Sequence, residues 1–194
     1  MNIAKSIYVT LFKTYTRTDL TPWEHEPQIK KKIYGFYHIY CYGRWQDLVS
    51  KQLNSLQSSG LMGVTDCLYV SIITLKEGDM DDFKKLTSGM NIKVVSHATD
   101  GRLYEYPALE ALWNKANEED CYLYYFHTKG VSFHTAKGKD RAFRRFKRNV
   151  DAWREMMEYF LMYKWNVAVN VLNDGYDTYG CYRYPPKPAK FAMY

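Results

Sequence analysis

Four apolar segments alternate with amphipathic segments along most of this chain. The apolar segments are rich in aromatic and β-branched residues and span residues 33–41, 67–75, 92–96 and 121–126. Segments of this composition predict β-strands, and the nearly continuous apolar run at 67–75 is typical of a strand covered on both faces. Strands that alternate with helices favour a mostly parallel, doubly wound α/β sheet of Rossmann type with flanking helices.

The segments between these strands show helical periodicity. Apolar residues recur three and four positions apart from Trp45 to Leu56, and a shorter amphipathic segment follows the second strand. Pro107 occupies a first-turn position of the helix before the fourth strand. After the fourth strand, the apolar spacing predicts one long helix over residues 140–173, and we expect its aromatic stripe to pack against the sheet.

The two ends of the chain are less regular. Apolar and polar residues alternate around Val9, so residues 1–31 are expected to form an N-terminal arm or an extra strand. Residues 176–182 are predicted to form a short strand, and the prolines that follow mark an extended loop. The chain has no linker and no internal repeat, so residues 32–194 are expected to form one domain.

The composition is that of an ordinary globular protein. Of the 194 residues, 46% are hydrophobic and 25% are charged, which suits a single domain with a sizeable core. Aromatic residues reach 17%, and such rings suit surfaces that stack on sugars or bases. The four cysteines are widely spaced and are expected to be free thiols in a reducing cytoplasm. Since no apolar stretch is long enough to span a bilayer, any contact with the inner face of the cell membrane is expected to be peripheral.

The net charge of +6 is concentrated in one segment. Residues 137–148 contain seven basic residues and one acidic residue, so they account for the whole excess. Arg141, Arg145 and Arg148 share one face of the predicted long helix. Such a face can bind an anionic membrane surface or nucleic acid, or can simply be solvated. Nucleic acid is the less favoured partner, because the chain has no recognisable RNA- or DNA-binding module.

The predicted fold indicates where a ligand would bind. In open parallel sheets, ligands bind beyond the carboxyl ends of the strands, where loops and helix amino termini converge. This rule selects residues 38–44, 76–79, 96–106 and 127–134. The candidate ligand-binding residues of the first and third segments are Tyr40, Arg44, His97, Glu105 and Tyr106. For Glu105 and Tyr106, a role as ordinary helix-capping residues is the alternative.

The last of these segments, residues 127–134, contains the most side chains that could bind a ligand. His127, Thr128, Lys129 and Gly130 directly follow the fourth strand. A lysine supplies a compact positive charge for a diphosphate, and a neutral imidazole can donate to a phosphate oxygen or bind a divalent ion. The glycine lets the backbone approach a ligand closely. A lone histidine here could simply hydrogen-bond a neighbouring loop, but the three side chains together favour ligand binding.

Several phosphate-binding and catalytic motifs are absent from the sequence. No G-x-G-x-x-G motif follows the first strand, and Gly130 and Gly138 are too far apart for a P-loop. The chain also has no G-x-S-x-G, H-E-x-x-H or paired C-x-x-C motif. These absences weigh against dinucleotide oxidoreductases, P-loop NTPases, α/β hydrolases, zincins and zinc ribbons. Nucleotide-sugar chemistry remains as the favoured class.

Two short motifs resemble those of a known enzyme family. The sequence YYFHTKG at 124–130 and the sequence NVDAWR at 149–154 are similar to an HTK turn and a following WR pair in GT-A-like glycosyltransferases. The family in question synthesises bacterial capsule, lipopolysaccharide and rhamnan-type polysaccharides. The resemblance covers about residues 33–184. It implies transfer of a sugar from a nucleotide-sugar donor to a polysaccharide or lipid-linked acceptor in surface glycan synthesis.

The resemblance also implies roles for individual residues. His127, Thr128 and Lys129 would lie where such enzymes carry an Asp-x-Asp motif that holds a metal ion and the donor diphosphate. Because the carboxylates are missing, dependence on Mn²⁺ or Mg²⁺ stays open, with His127 as the candidate ligand. Family members continue into an aromatic acceptor-binding segment that this chain, ending at Tyr194, is expected to lack. A GT-A-like subunit that binds without catalysis is therefore one alternative function. A protein that binds nucleic acid or anionic lipid through its basic face is the other.

The candidate site also includes two residues that come later in the sequence than the HTK turn. Arg154 is expected to contact the donor, and an ion-paired helix face with Asp151 and Glu158 is the alternative. Asp177, in the YDTYG run after the long helix, is the candidate general base that accepts a proton from the acceptor hydroxyl.

Overall fold

The four strands predicted from the apolar segments assemble into one sheet. The structure, a computed structural model, describes residues 19–134 and 140–180. The strands in these ranges are β1 (Ile33–Tyr40), β2 (Cys67–Ile73), β3 (Ile92–Ala98) and β4 (Tyr122–His127). They lie in the order β3-β2-β1-β4, and all neighbouring pairs are parallel. The predicted α/β fold with a parallel sheet is therefore confirmed.

Helices connect the strands and follow the last one. They are α1 (Trp45–Ser58), α2 (Leu61–Val64), α3 (Asp79–Leu86), α4 (Tyr106–Glu118), α5 (Val131–His134), α6 (Arg141–Glu158) and α7 (Trp165–Asn173). Short 3-10 turns cover Thr21–Trp23 and Gly101–Leu103. Pro107 lies in the first turn of α4, as the sequence predicts, where its missing N–H costs no helical hydrogen bond.

Helices cover both faces of the sheet, so the fold is doubly wound. On one face Tyr37 is fully buried, and its hydroxyl donates to Oε1 of Gln52 on α1 over 2.6 Å. On the other face the Lys115 ammonium of α4 lies 4.6 Å from the centre of the Tyr34 ring. Tyr34 and Tyr37 point to opposite sides because successive side chains of a strand alternate between the two faces.

The single long helix predicted for residues 140–173 is interrupted, so this prediction is wrong in detail. A π-helical turn spans Tyr159–Tyr163, and α7 begins only after Lys164. A π turn adds one residue to the helical repeat, and it therefore rotates the side chains of the following residues about the helix axis. With this rotation Met162 and Val169 both lie in the core. Apolar periodicity persists through the interruption, which is why the sequence predicts one continuous helix.

The strand predicted for residues 176–182 is not formed in its described part, which ends at Gly180. A competing contact explains the difference. Trp23 donates from Nε1 to Oδ2 of Asp174 over 2.6 Å, and its ring meets the Tyr176 ring edge-on at 6.1 Å. These contacts hold the start of the chain after α7 against the segment that precedes β1.

The described amino-terminal residues, 19–31, form no strand and pack along α7. The amide of Asn170 donates to the backbone carbonyls of Trp23 and His25, each over 3.0 Å. The remainder of the predicted arm, residues 1–18, lies outside the described residues.

Three of the cysteines, Cys41, Cys67 and Cys121, are free thiols as predicted, and Cys181 lies outside the described residues. Within the part of the chain that the structure describes, no helix is both long enough and apolar enough to cross a membrane.

The strand order creates a crevice at one edge of the sheet. The chain passes from β1 through β2 to β3 in one direction and then returns to place β4 on the other side of β1. At such a topological switch point, the loops after the two strands on either side of it diverge and leave a crevice at the carboxyl ends. Here the two strands are β1 and β4, which end at Tyr40 and His127.

Candidate functional site

A cleft of about 460 Å³ lies at this switch point. Its walls are the ends of β1 and β4, the turn after β4 and the loop between β3 and α4. Among its lining residues are His38, Tyr40, Arg102, Tyr104, Glu105, His127 and Lys129. The volume is in the range of small-molecule sites, roughly 300–1,000 Å³. The cleft is therefore the candidate ligand-binding site.

Two histidines lie side by side in this cleft. His38 and His127 are paired in the parallel register of β1 and β4, so their side chains point to the same face. His38 is 4% exposed, and the His127 side chain is 20% exposed. Among the described residues, Nδ1 of His38 and Nε2 of His127 have no hydrogen-bond partner, and both atoms are buried. A buried polar atom without a partner in the protein is a candidate for contact with a ligand or water.

Both imidazoles are held in the neutral form at pH 7. Burial lowers the pKa of His38 to about 4, against the opposing charge of Glu105. Burial also lowers the pKa of His127, again against Glu105, and the positive charge of Lys129 adds to the lowering. A neutral imidazole can accept a proton or a hydrogen bond from a ligand, which an imidazolium cannot.

Glu105 connects His127 to a second residue of β4. Its Oε1 lies 3.6 Å from Nδ1 of His127, and its Oε2 accepts a hydrogen bond of 2.9 Å from the Tyr125 hydroxyl. Glu105 stands at the N-cap position of α4, but its side chain makes no capping hydrogen bond there. The carboxylate is therefore directed to the tyrosine and the histidine, and the capping role considered from the sequence is not what its side chain does.

The turn after β4 has a fixed backbone shape. Thr128 is 4% exposed, its Oγ1 accepts from the Tyr40 amide over 3.0 Å, and its own amide donates to the His38 carbonyl over 3.1 Å. Gly130 has φ +72°, and a Cβ atom there would lie 2.5 Å from Cγ1 of Val150. A side chain at this position would meet both backbone strain and a clash, so glycine is required.

Two neighbouring residues of α6 hold Lys129. The Lys129 ammonium lies 4.9 Å from the centre of the Trp153 ring, in cation–π contact. Arg154 donates from Nη1 to the backbone carbonyl of Lys129 over 3.3 Å. The HTK turn and the WR pair, which carry the family resemblance, are thus in direct contact.

Arg154 is buried, and it contacts the backbone of this turn and not the cleft itself. Its side chain is 3% exposed, with Nη1 at 3.0 Å from Oδ1 of Asp151 and Nε at 3.6 Å from Oε1 of Glu158. Gln52 donates from Nε2 to the same Glu158 oxygen over 2.6 Å and to the His127 carbonyl over 3.1 Å. The ion pairs considered from the sequence are present, but the Arg154 side chain is buried and both carboxylates are partly buried. Arg154 reaches a separate cavity of about 280 Å³ behind the turn and does not line the cleft.

The opposite wall of the cleft carries an arginine and a strained tyrosine. Asp100 holds the Arg102 guanidinium through hydrogen bonds of 3.0 Å from Nε and 2.8 Å from Nη2. These bonds lower the pKa of Asp100. Tyr104 has φ +45° and is 65% exposed. A non-glycine residue with positive φ is uncommon, and such strain clusters at functional sites.

Besides Arg154, three residues predicted to bind the donor do not line the cleft. Arg44 forms a 2.5 Å ion pair with Asp47 at the start of α1. His97 has its Nε2 2.9 Å from Oγ1 of Thr74, where it joins the ends of β2 and β3. Tyr106 projects from α4 with 71% of its surface exposed. Of the ten residues assigned to the site from sequence, Tyr40, Glu105, His127, Thr128 and Lys129 are brought together at the cleft.

Asp177, the candidate general base predicted from the sequence, does not line the cleft. It lines a different cavity, of about 340 Å³, together with Ile33 and Tyr122, which begin β1 and β4. This cavity extends along β4 from Tyr122 as far as Tyr125, two residues before His127. Tyr179 and Gly180, a few residues further on, line the cavity behind the HTK turn together with His127 and Lys129. The structure therefore does not bring Asp177 into the cleft.

His38, Arg102 and Tyr104 are among the cleft side chains that the sequence did not single out. His38 lies inside an apolar strand, where it is easily taken for a core residue. The signal was available in the alternation of β1, which places His38 on the same face as Tyr40. Arg102 and Tyr104 lie inside the selected segment 96–106, but no pattern distinguishes them from other loop residues.

The side chains of the cleft do not form a metal site. The described ranges contain no cluster of three or more His, Cys, Asp or Glu side chains placed to hold an ion. His127 and Glu105 offer two ligands, whereas Mg²⁺ prefers six oxygen ligands, as a rule, and does not favour imidazole. The residues present therefore do not fit Mn²⁺ or Mg²⁺ held by the protein alone.

Comparison with known proteins finds no matching protein family, no matching curated protein and no matching solved structure. Arguments about function consequently depend on the fold, the geometry of the cleft and the sequence motifs.

Proposed function

We propose that this protein is a glycosyltransferase that binds a nucleotide-sugar donor in the cleft at the carboxyl ends of β1 and β4. The observation that carries the proposal is that the His127–Lys129 turn forms a wall of a small-molecule cleft at the switch point of a doubly wound sheet. The resemblance of this turn and of the Trp153-Arg154 pair to polysaccharide-synthesis glycosyltransferases supports the same class. The acceptor is a polysaccharide or a lipid-linked glycan.

The cleft offers groups suited to each part of the donor. Arg102 and Lys129 are the cations proposed to bind the diphosphate, because guanidinium and ammonium groups form charge-assisted hydrogen bonds with phosphate oxygens. Tyr40 and the exposed Tyr104 are proposed to stack on the base or the sugar ring. Thr128 and Arg154 are positioning residues, since they fix the turn from its buried side.

We assign the role of general base to His127, whereas the sequence suggested Asp177. In the proposed step, the acceptor oxygen forms a bond to the anomeric carbon while the bond from that carbon to the diphosphate breaks. The electron pair leaves with the diphosphate, and the acceptor proton passes to the neutral imidazole of His127. Glu105, 3.6 Å from Nδ1, stabilises the imidazolium that forms. The step requires no metal ion.

The first test of donor binding is the thermal unfolding midpoint with a panel of UDP-, GDP-, CDP- and dTDP-sugars, with and without Mn²⁺. A ligand that binds only the native state, at about 100 times its Kd, adds roughly 2.7 kcal/mol to the free energy of unfolding. For a chain of this size that corresponds to a rise of about 5–10 °C. If no nucleotide sugar raises the midpoint under either condition, the proposal is wrong.

The role of His127 has its own test once a donor and an acceptor are known. The His127→Gln variant is expected to bind the donor but to lose about 100-fold or more in kcat, because general-base catalysis contributes roughly 10²–10⁴. His97→Gln is the matched control, since His97 bonds to Thr74 outside the cleft, and it should retain activity. A wild-type protein that binds the donor without any turnover would identify a non-catalytic binding subunit instead.

A further inference from the structure

An exposed basic face occupies the first half of α6. Arg141, Arg144, Arg145 and Arg148 project within an arc of roughly 100° around the helix axis, as follows from 3.6 residues per turn. All four residues are exposed, and none of their side chains has an ion pair or a hydrogen bond to another described residue. Their charge is therefore free to act on an external partner.

Acidic residues near this face are already committed to other contacts. Asp140 caps the helix, where its Oδ1 accepts from the Ala142 amide over 3.3 Å. Asp151 is 2.8 Å from the Lys147 ammonium and 3.0 Å from Nη1 of Arg154. Asp151 borders the arginines, about 20° around the helix from Arg144, and Glu155, two turns beyond Arg148, marks the end of the basic face.

The opposite side of α6 is fixed to the protein. The ring centres of Phe143 and Phe146 lie 6.4 Å and 5.1 Å from that of Phe133 on α5. Ser132, the neighbour of Phe133, lines the cleft. Because α6 packs on the element that forms the cleft wall, the arginine face is presented outward at a fixed position beside the candidate active site.

We propose that this arginine face docks the protein on an anionic lipid bilayer. A convex row of cations can meet a flat negative surface along its whole length, and each Lys or Arg near such a surface strengthens binding. Single-stranded nucleic acid suits this face less well, because it is bound in grooves where aromatic rings stack on the bases. Here the rings of Phe143 and Phe146 lie on the other side of the helix, against Phe133.

The docking proposal does not depend on the reaction. If the protein is a glycosyltransferase, docking would bring the cleft close to the membrane surface, where a lipid-linked acceptor is located. Vesicle binding and donor binding can each fail without the other, so the two proposals are tested separately.

The test is co-sedimentation of the full chain with vesicles of phosphatidylcholine containing about 30% phosphatidylserine, compared with pure phosphatidylcholine, at about 0.1 M salt. The variant replaces Arg141, Arg145 and Arg148 with Gln, which keeps helix propensity while removing three charges. We expect the wild-type protein to sediment with the anionic vesicles only and to be released at about 1 M salt. The variant should lose about 100-fold in apparent affinity.

A second triple variant is the matched control. It replaces Lys30, Lys51 and Lys76 with Gln, which removes the same charge from exposed positions on other elements. It should bind the anionic vesicles within a few-fold of the wild-type protein, and both variants should keep the wild-type unfolding midpoint. Absence of sedimentation with anionic vesicles, or equal losses in the two variants, would overturn the proposal. Tighter binding to a short RNA or DNA, abolished by the arginine variant, would replace the bilayer with nucleic acid.

Discussion

The guanidinium of Arg154 donates a hydrogen bond of 3.3 Å to the backbone carbonyl of Lys129, and this bond joins α6 to the turn after β4. Arg154 is also ion-paired with Asp151 and Glu158 in a buried environment. The wall of the cleft therefore depends on a charged side chain that does not enter the cleft. A residue in this position affects ligand binding through the shape of the turn and affects stability directly.

Replacing Arg154 with Met is expected to destabilise the protein by about 3 kcal/mol. The change leaves the partly buried carboxylates of Asp151 and Glu158 with one partner fewer each, and removing one member of a buried ion pair costs about 3–5 kcal/mol. Lys147 and Gln52 remain as partners, which favours the lower end of this range. Urea unfolding measures the difference.

Arg148→Met is the control for this substitution, because Arg148 is exposed on the same helix. It should change the free energy of unfolding by no more than about 0.5 kcal/mol. Equal unfolding midpoints for the two variants would show that the buried network around Arg154 contributes nothing.

Replacing Gly130 with Ala is expected to destabilise the turn by two effects. The φ of +72° costs roughly 1–2 kcal/mol for a residue with a Cβ atom, and the 2.5 Å approach to Val150 adds an overpacking cost of about 1–3 kcal/mol. Gly89 has φ +79°, and a Cβ atom there would have no other atom within 4 Å, so Gly89→Ala should show only the first effect. Chemical denaturation of the two variants separates the contributions.

The overpacking effect can be checked by a second substitution. In the Gly130→Ala background, Val150→Ala should be less destabilising than it is in the wild-type protein, because it removes the clashing methyl groups. Additive effects of the two substitutions would contradict the close approach.

Stability is expected to fall as the pH is lowered from 6.5 towards 4. The native pKa of His38 is about 4 because the imidazole is buried, whereas a histidine in the unfolded chain has its ordinary pKa of about 6.5. Between these values the unfolded state binds a proton that the native state does not, so the stability present above pH 6.5 is lost as the pH falls. The loss attributable to His38 should reach about 2 kcal/mol at pH 5.

Urea unfolding at several values between pH 7 and pH 5 measures this dependence. His38→Gln should flatten the profile, since the substituted side chain does not titrate. A slope that is unchanged in the variant would mean that other groups cause the acid sensitivity.

Tyr104 is expected to store strain that serves ligand binding. Its φ of +45° suits glycine, and its side chain is 65% exposed, so little packing is lost on replacement. Tyr104→Gly should leave the free energy of unfolding unchanged or raise it by up to about 1 kcal/mol, because the relieved strain offsets the greater entropy of glycine in the unfolded chain. The same variant should bind the nucleotide sugar more weakly. A clear loss of stability would show that the tyrosine packs better than its exposure indicates.

Much of this fold is predictable because its signals are local. The four strands are marked by their composition, and the strand-end rule points to the cleft from the sequence alone. The position of the HTK turn in the cleft is predictable because His127 is the last residue of β4. Contacts between distant segments are not local, and they account for the errors. Nothing in the sequence indicates that Trp23 and Asp174, which are 151 residues apart, meet.

The roles of individual side chains are harder to predict than the location of the site. Arg154 has acidic neighbours at helical spacing, which is typical of a solvated helix face, and only the packing of α6 on the turn shows that it is buried. His38 looks like a core residue until the register of β1 and β4 places it beside His127. Burial and register are tertiary properties, so composition and periodicity do not reveal them.

The most direct test of the central claim is calorimetric titration of the best nucleotide sugar into the wild-type protein and two arginine variants. Arg102 and Arg44 are both exposed and each is paired with a nearby aspartate, but only Arg102 lines the cleft. Arg102→Gln is expected to weaken binding about 10- to 100-fold, the worth of a hydrogen bond to a charged group, and Arg44→Gln should bind like the wild-type protein. Equal affinities for all three proteins, or no binding to any of them, would contradict a donor site in this cleft.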